Sequence, residues 1–237
     1  MARLSLKALW GLCVVCALLS ACGENHTPEI DGYAEARRLA AAGKYTAAVA
    51  ACKQVLEADS QHIEARLLLA RLDLTQGRLG LAAQLAEQAV QLAPDHTNAY
   101  ALLGNIYVRQ RRNADAAAIY QEGLRTDPDR VDLYRKLAIA HADDGRYSEA
   151  IKTLQQALER AADDPAIHYN LGVIYERQAQ YDNASDAFIR TTELDTTYGD
   201  AYFRLGQIQS KQGQVAGAAS NFARVIRLRP DYAPPYI

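Results

Sequence analysis

"AYALLGNIY", Ala99 to Tyr107, and "IHYNLGVIY", Ile167 to Tyr175, align along their whole length, and "DAYFRLGQI", Asp200 to Ile208, repeats the pattern. Gly104, Ala138, Gly172 and Gly206 stand 34 residues apart, and the same step backwards reaches Ala70 and Ala36. Units of that length divide the chain, without insertion or deletion, into 29–62, 63–96, 97–130, 131–164, 165–198 and 199–232. A fixed period in this range is the mark of a repeat architecture.

The columns of the alignment carry physical content. The eighth is always Ala or Gly, and the twentieth is always alanine: Ala48, Ala82, Ala116, Ala150, Ala184 and Ala218. Two small residues on paired helices let their backbones approach closely. The seventh column is leucine from Leu69 to Leu205, and the twenty-fourth is bulky at Tyr120, Leu154, Phe188 and Phe222. Gly43, Gly77, Gly145 and Gly213 fall in the fifteenth column, where a first helix must end and the chain reverse. Pro94, Pro128 and Pro230 stop the second helix. Each unit reads as a helix–turn–helix that buries its apolar face by stacking on the next.

With W-x₂-L-G-x₂-Y, then A, F, A and P over each period as its signature, the tetratricopeptide repeat is the family that these residues resemble. Tyr100, Tyr134, His168 and Tyr202 take the tryptophan column, and the first unit is degenerate, with Gly32 and Glu35 at signature positions. The resemblance implies an all-α, right-handed superhelical solenoid of six repeats. It also implies that first helices line an inner groove. Arg71, Asn105, Arg135, Lys136, Tyr169, Asn170, Arg177, Phe203, Arg204, Gln207 and Lys211 occupy groove columns, interrupted by Glu64, Asp132, Asp143, Glu176 and Asp200. Such a surface suits a protein or extended peptide segment, whose backbone needs amide partners and whose acidic groups need arginine. The other reading of the same columns is a solvated face whose charges pair between repeats. Some relatives clamp a C-terminal carboxylate: Arg135, Asn170 and Arg204 match clamp columns, whereas Ile139 and Asp200 depart from them.

The chain opens differently. Arg3 and Lys7 precede an apolar run from Ala8 to Leu19, too short for a spanning helix, which needs about 20 apolar residues. Leu19-Ser20-Ala21-Cys22 resembles the lipobox of bacterial lipoproteins. That resemblance implies cleavage after residue 21, lipidation of Cys22, and a short tether over 22–28. Gly23 after the cysteine points, by the same resemblance, to the outer membrane facing the periplasm. Cys13 and Cys16 would leave with the leader, so only Cys52 would remain as a thiol, in a core column.

The rest of the composition narrows the function classes. A net charge of −2 over 237 residues gives no reason to expect a nucleic-acid partner. No nucleophile elbow, phosphate loop or dinucleotide fingerprint occurs, and His62, His96, His141 and His168 lack metal-ligand spacing. The expectation is therefore no enzyme, no cofactor, no metal and no small-molecule substrate. Residues 233–237 read as the start of a seventh unit, and no polar capping helix follows Phe222, Val225 and Ile226. A longer natural protein is then expected. The functional expectation is a lipid-anchored scaffold for protein–protein interactions in a bacterial envelope, serving pilus or secretin, outer-membrane or exopolysaccharide-export assembly. The alternative is the recruiting arm of an enzyme whose catalytic part lies beyond Ile237.

Overall fold

A computed structural model describes residues 32–230. Cys22, its leader and residues 233–237 lie outside the described residues. Among those described there are twelve α-helices. They form six pairs: α1 (Gly32–Ala41) with α2 (Tyr45–Ala58), α3 (Ile63–Thr75) with α4 (Leu79–Leu92), and α5 (Thr97–Arg109) with α6 (Asn113–Thr126). Then come α7 (Val131–Asp143) with α8 (Tyr147–Leu158), α9 (Pro165–Arg177) with α10 (Tyr181–Leu194), and α11 (Gly199–Lys211) with α12 (Val215–Leu228). Each helix packs on its own partner and on its neighbours in sequence, which makes an all-α solenoid.

Pairing within a repeat is governed by two facing columns. A Cβ added at Gly104 would run into the Tyr120 ring; at Gly172 it would lie 2.6 Å from Phe188, and at Gly206 2.8 Å from Phe222. The ring of the second helix thus lies directly on the backbone of the first. Where the facing residue is smaller, alanine returns: Ala138 shares a core with Leu154, Ala70 with Ala86, and Ala36 with Cys52. In the four middle and later pairs a large residue thus faces a small one, as close packing at a short helix separation requires.

The turn inside each pair passes through the left-handed region. Gly43, Gly77, Gly145 and Gly213 have φ between 71° and 77°, and the same column holds Arg111 at 61° and Ala179 at 57°. Between pairs, the carbonyl just before α3, α5, α7 and α9 is met by a side chain of that helix, whereas before α11 Thr196 O accepts from Arg224 of α12. Tyr100 donates to Pro94 O at 2.9 Å, Tyr134 to Pro128 O at 3.1 Å, and Arg66 to Ser60 O. His168 Nε2 lies 3.1 Å from Ala162 O. Arg66, Tyr100, Tyr134 and His168 all stand in the tryptophan column, so what this column supplies here is a hydrogen-bond donor on a flat group.

Successive first helices touch one another at α1–α3, α3–α5 and α7–α9, and nowhere do two second helices touch as closely. The side packed more tightly is the inside of the curve. First helices therefore line the inner face and second helices the outer one. No helix of the described residues is long and apolar enough to cross a membrane.

Candidate functional site

The inner face has two halves with different electrostatics. In the C-terminal half the cations are already paired across repeats. Arg177 on α9 donates to Asp143 at the end of α7 at 2.6 Å, and Arg204 on α11 lies 3.2 Å from Glu176 on α9. Lys211 is not ion-paired but stands over the Tyr181 ring, 5.5 Å from its centre. For these positions the structure favours the reading in which charges pair between repeats. Partly exposed pairs of this kind contribute about 0–1 kcal/mol each, so they set the local charge balance more than the stability.

In the N-terminal half the balance differs. The side chains of Arg71 on α3, Arg109 on α5 and Arg135 on α7 make no hydrogen bond or ion pair among the described residues. Arg135 is half-buried, and its Nε is shielded from solvent without a partner. Such a group costs free energy unless something outside the chain satisfies it. Lys136, one residue on, lies 3.4 Å from Asp132, which Arg130 also engages at 2.9 Å. Those two cations hold the Asp132 carboxyl below the usual carboxylate range, the Arg130 hydrogen bond contributing most.

A hollow of about 350 Å³ spans α3, α5 and α7, with Arg109 and Lys136 in its wall. Leu74, Val108 and Ile139 make its apolar walls, and Asn105, Arg109 and Lys136 supply its polar groups. Asn105 is fixed in place because Tyr120, buried beneath, donates its hydroxyl to Asn105 Oδ1 at 2.9 Å. Burial holds the Tyr120 hydroxyl far above its usual range, so it is protonated and able to donate. One side of the Asn105 amide is thereby occupied, and its NH₂ remains for an incoming acceptor.

The remaining predicted positions form an aromatic and amide stretch further along. Tyr169 stacks on Tyr198 with ring centres 5.0 Å apart and on Phe188 at 5.6 Å. Phe203 stacks on Phe222 at 5.9 Å. Asn170 and Gln207 are half-buried, and their side chains make no hydrogen bond among the described residues. The clamp columns do not act alike, because Arg204 is engaged by Glu176 whereas Arg135 makes no ion pair among the described residues. Arg109, Leu74 and Val108 were not among the predicted positions. Their signal was available, since they occupy the same two groove columns as Arg177 and Glu176.

Cys52 is fully buried, and burial pushes its thiol up to about 11, so it is an inert core residue. His62, at the start of α3, accepts from Ala65 N at 3.3 Å, and His96 lies 3.3 Å from Glu64. Among the described residues no group of His, Cys, Asp and Glu could hold a metal ion.

A search of curated protein sequences finds no match to this chain. Among solved structures, YrrB, described as a TPR protein with an unusual peptide-binding site, is 22% identical with a TM-score of 0.55, covering 76% of this chain and 93% of its own. MamA is 20% identical with a TM-score of 0.60, covering 69% and 95%. A thermophilic TPR protein from Thermus thermophilus, TTC0263, is 23% identical with a TM-score of 0.60, covering 75% and 97%. These likenesses concern the fold. A tetratricopeptide repeat model matches 39–80, and a second one matches 67–131, 101–165, 135–196 and 169–233. Four of these windows start 34 residues apart, the period of the helix pairs, and together the matches show that the chain belongs to the tetratricopeptide repeat family.

Proposed function

We propose that this protein is a non-catalytic scaffold whose inner face, over α3, α5 and α7, holds an extended acidic segment of another protein. The observation that carries the reading is that the groove arginines Arg71, Arg109 and Arg135 make no hydrogen bond or ion pair among the described residues, with Arg109 in the wall of a hollow that is otherwise largely apolar. Carboxylates of the segment pair with those guanidinium groups, which present several donors in a fixed fork. An apolar side chain between them fills the space bounded by Leu74, Val108 and Ile139, and Asn105 takes a backbone carbonyl. Attraction of this kind weakens with added salt.

The same reading includes lipid attachment at Cys22 and a place at the periplasmic side of a bacterial envelope, supported by the lipobox-like Leu19-Ser20-Ala21-Cys22 behind a basic and apolar leader. Several acyl chains on one cysteine would give lasting attachment at about 0.8 kcal/mol per buried CH₂. Pilus, secretin, outer-membrane and exopolysaccharide-export assembly are the machineries such a scaffold would serve.

The experiment is capture of partners from envelope extract. Arg135→Glu is expected to release the bound segment, and Arg204→Glu, whose arginine already has Glu176, to do so much less. Equal loss or no loss with both variants contradicts the groove assignment. For the anchor, Cys22→Ala should leave the leader uncleaved and change membrane fractionation, and unchanged processing sinks lipidation.

A further inference from the structure

Tyr107 and His141 stand one repeat apart in the same column, on the sides of α5 and α7 that face the second helices. Tyr107 is buried, and its hydroxyl donates to Glu87 Oε1 on α4 at 2.8 Å. The Arg112 guanidinium lies 4.1 Å from its ring centre. The ring therefore bridges its own helix and the second helix of the preceding pair. One repeat on, the ring is the shorter imidazole of His141, and Gln121 takes the place of Glu87. His141 is 5% exposed, and its Nδ1 is buried with no partner.

Over His141 there is an opening of about 510 Å³ between α6 and α8 on the outer face. Buried Tyr134, Leu137 and His141 form its floor, and exposed Gln121, Lys152 and Gln156 stand at its edge. A second opening of about 400 Å³ lies between α2 and α4 over Asp73, which also replaces the tyrosine of this column. There the polar floor is satisfied from within, because Arg78 Nε donates to Asp73 at 3.1 Å. His141 has no such internal partner. These two openings thus lie where the column's tyrosine is replaced, and of the two only the one over His141 leaves a buried ring nitrogen unsatisfied.

We propose that the opening over His141 is a second binding site, opposite the inner groove, which accepts a tyrosine side chain of a partner protein. Part of the space is what the longer Tyr107 reaches across, to Glu87, a repeat earlier. Tyr134 and Leu137 offer the ring a floor, and a phenol hydroxyl both donates and accepts, so it suits an imidazole beside an amide. An aliphatic side chain would leave the imidazole unpaired. The site is independent of the inner groove and stands or falls separately.

The probe is p-cresol, the tyrosine side chain as a free molecule. By ligand-observed NMR it should bind the full chain saturably, at the roughly millimolar strength expected for so small a ligand. Toluene, which lacks the hydroxyl, should bind several-fold more weakly. His141→Tyr fills the opening from within and should abolish cresol binding while circular dichroism stays helical. Gln121→Leu, at the exposed edge, should retain the fold and erase most of the preference for cresol over toluene. No saturable binding to the wild-type chain, equal binding to His141→Tyr, or an unchanged preference in Gln121→Leu overturns the proposal.

Discussion

Gly172 shows how single positions hold these helices together. Phe188 lies so close that a Cβ there would meet its ring at 2.6 Å, and Phe188 is fully buried with nowhere to move. Gly172→Ala is expected to cost about 1–3 kcal/mol, the usual range for overpacking a core. Gly206→Ala should cost less, because Phe222 is only half-buried and the approach is 2.8 Å. Urea midpoints of the two variants would test that order. The opposite sign is expected at the turns. Arg111 and Ala179 hold a left-handed conformation that the other four repeats give to glycine. A side chain there costs about 1–2 kcal/mol, part of which glycine returns through its freer unfolded state. Arg111→Gly and Ala179→Gly should each raise stability by up to about 1 kcal/mol, read as a higher denaturation midpoint.

Between repeats, side-chain hydrogen bonds tie the elements at each joint described. Tyr134→Phe removes one of two donors to Pro128 O, Arg160 Nε at 2.7 Å being the other, so a loss of about 0.5–1 kcal/mol is expected in thermal unfolding. The joint between α6, α7 and α8 is also sensitive to pH. Burial holds the His141 imidazole below its usual range, helped by nearby Arg146 and opposed by Glu149 and Asp144. The unfolded chain protonates this histidine near pH 6.5, before the folded one does. Its neutral form therefore supports the fold fully above that pH, and the support is lost as pH falls below it. Thermal midpoints at about pH 7.5 and about pH 5 should differ more for the wild type than for His141→Tyr, which carries the residue of the neighbouring repeats. The phase of these elements was legible in the sequence, because Ala and Gly in two columns mark where helix backbones meet. The reason for the tryptophan column's variety was not. Arg66, Tyr100, Tyr134 and His168 span three side-chain types and have in common a donor that reaches the equivalent carbonyl.

Across the whole molecule, stacking six pairs gives an inner face that is chemically uneven, and this unevenness selects the candidate site. Groove columns could be read from the sequence, but the state of each charge could not. Whether an arginine is free depends on a carboxylate a repeat or so away: Arg177 finds Asp143 and Arg204 finds Glu176, while Arg109, in the column of Arg177, finds none. The paired half carries Asp143 one repeat before Arg177, where the unpaired half has Thr75 before Arg109, and folding brings each such pair of columns together. The account therefore locates recognition in α3, α5 and α7, with acidic groups of the ligand flanking an apolar one. Selection of a random displayed-peptide library on the full chain, followed by affinity measurement against Arg109→Glu/Arg135→Glu, tests this most directly. The account predicts enriched peptides that are acidic around one apolar residue and at least about tenfold weaker on the charge-reversed chain, a difference of about 1.4 kcal/mol. Enrichment of basic peptides, or equal affinity for both chains, would contradict it.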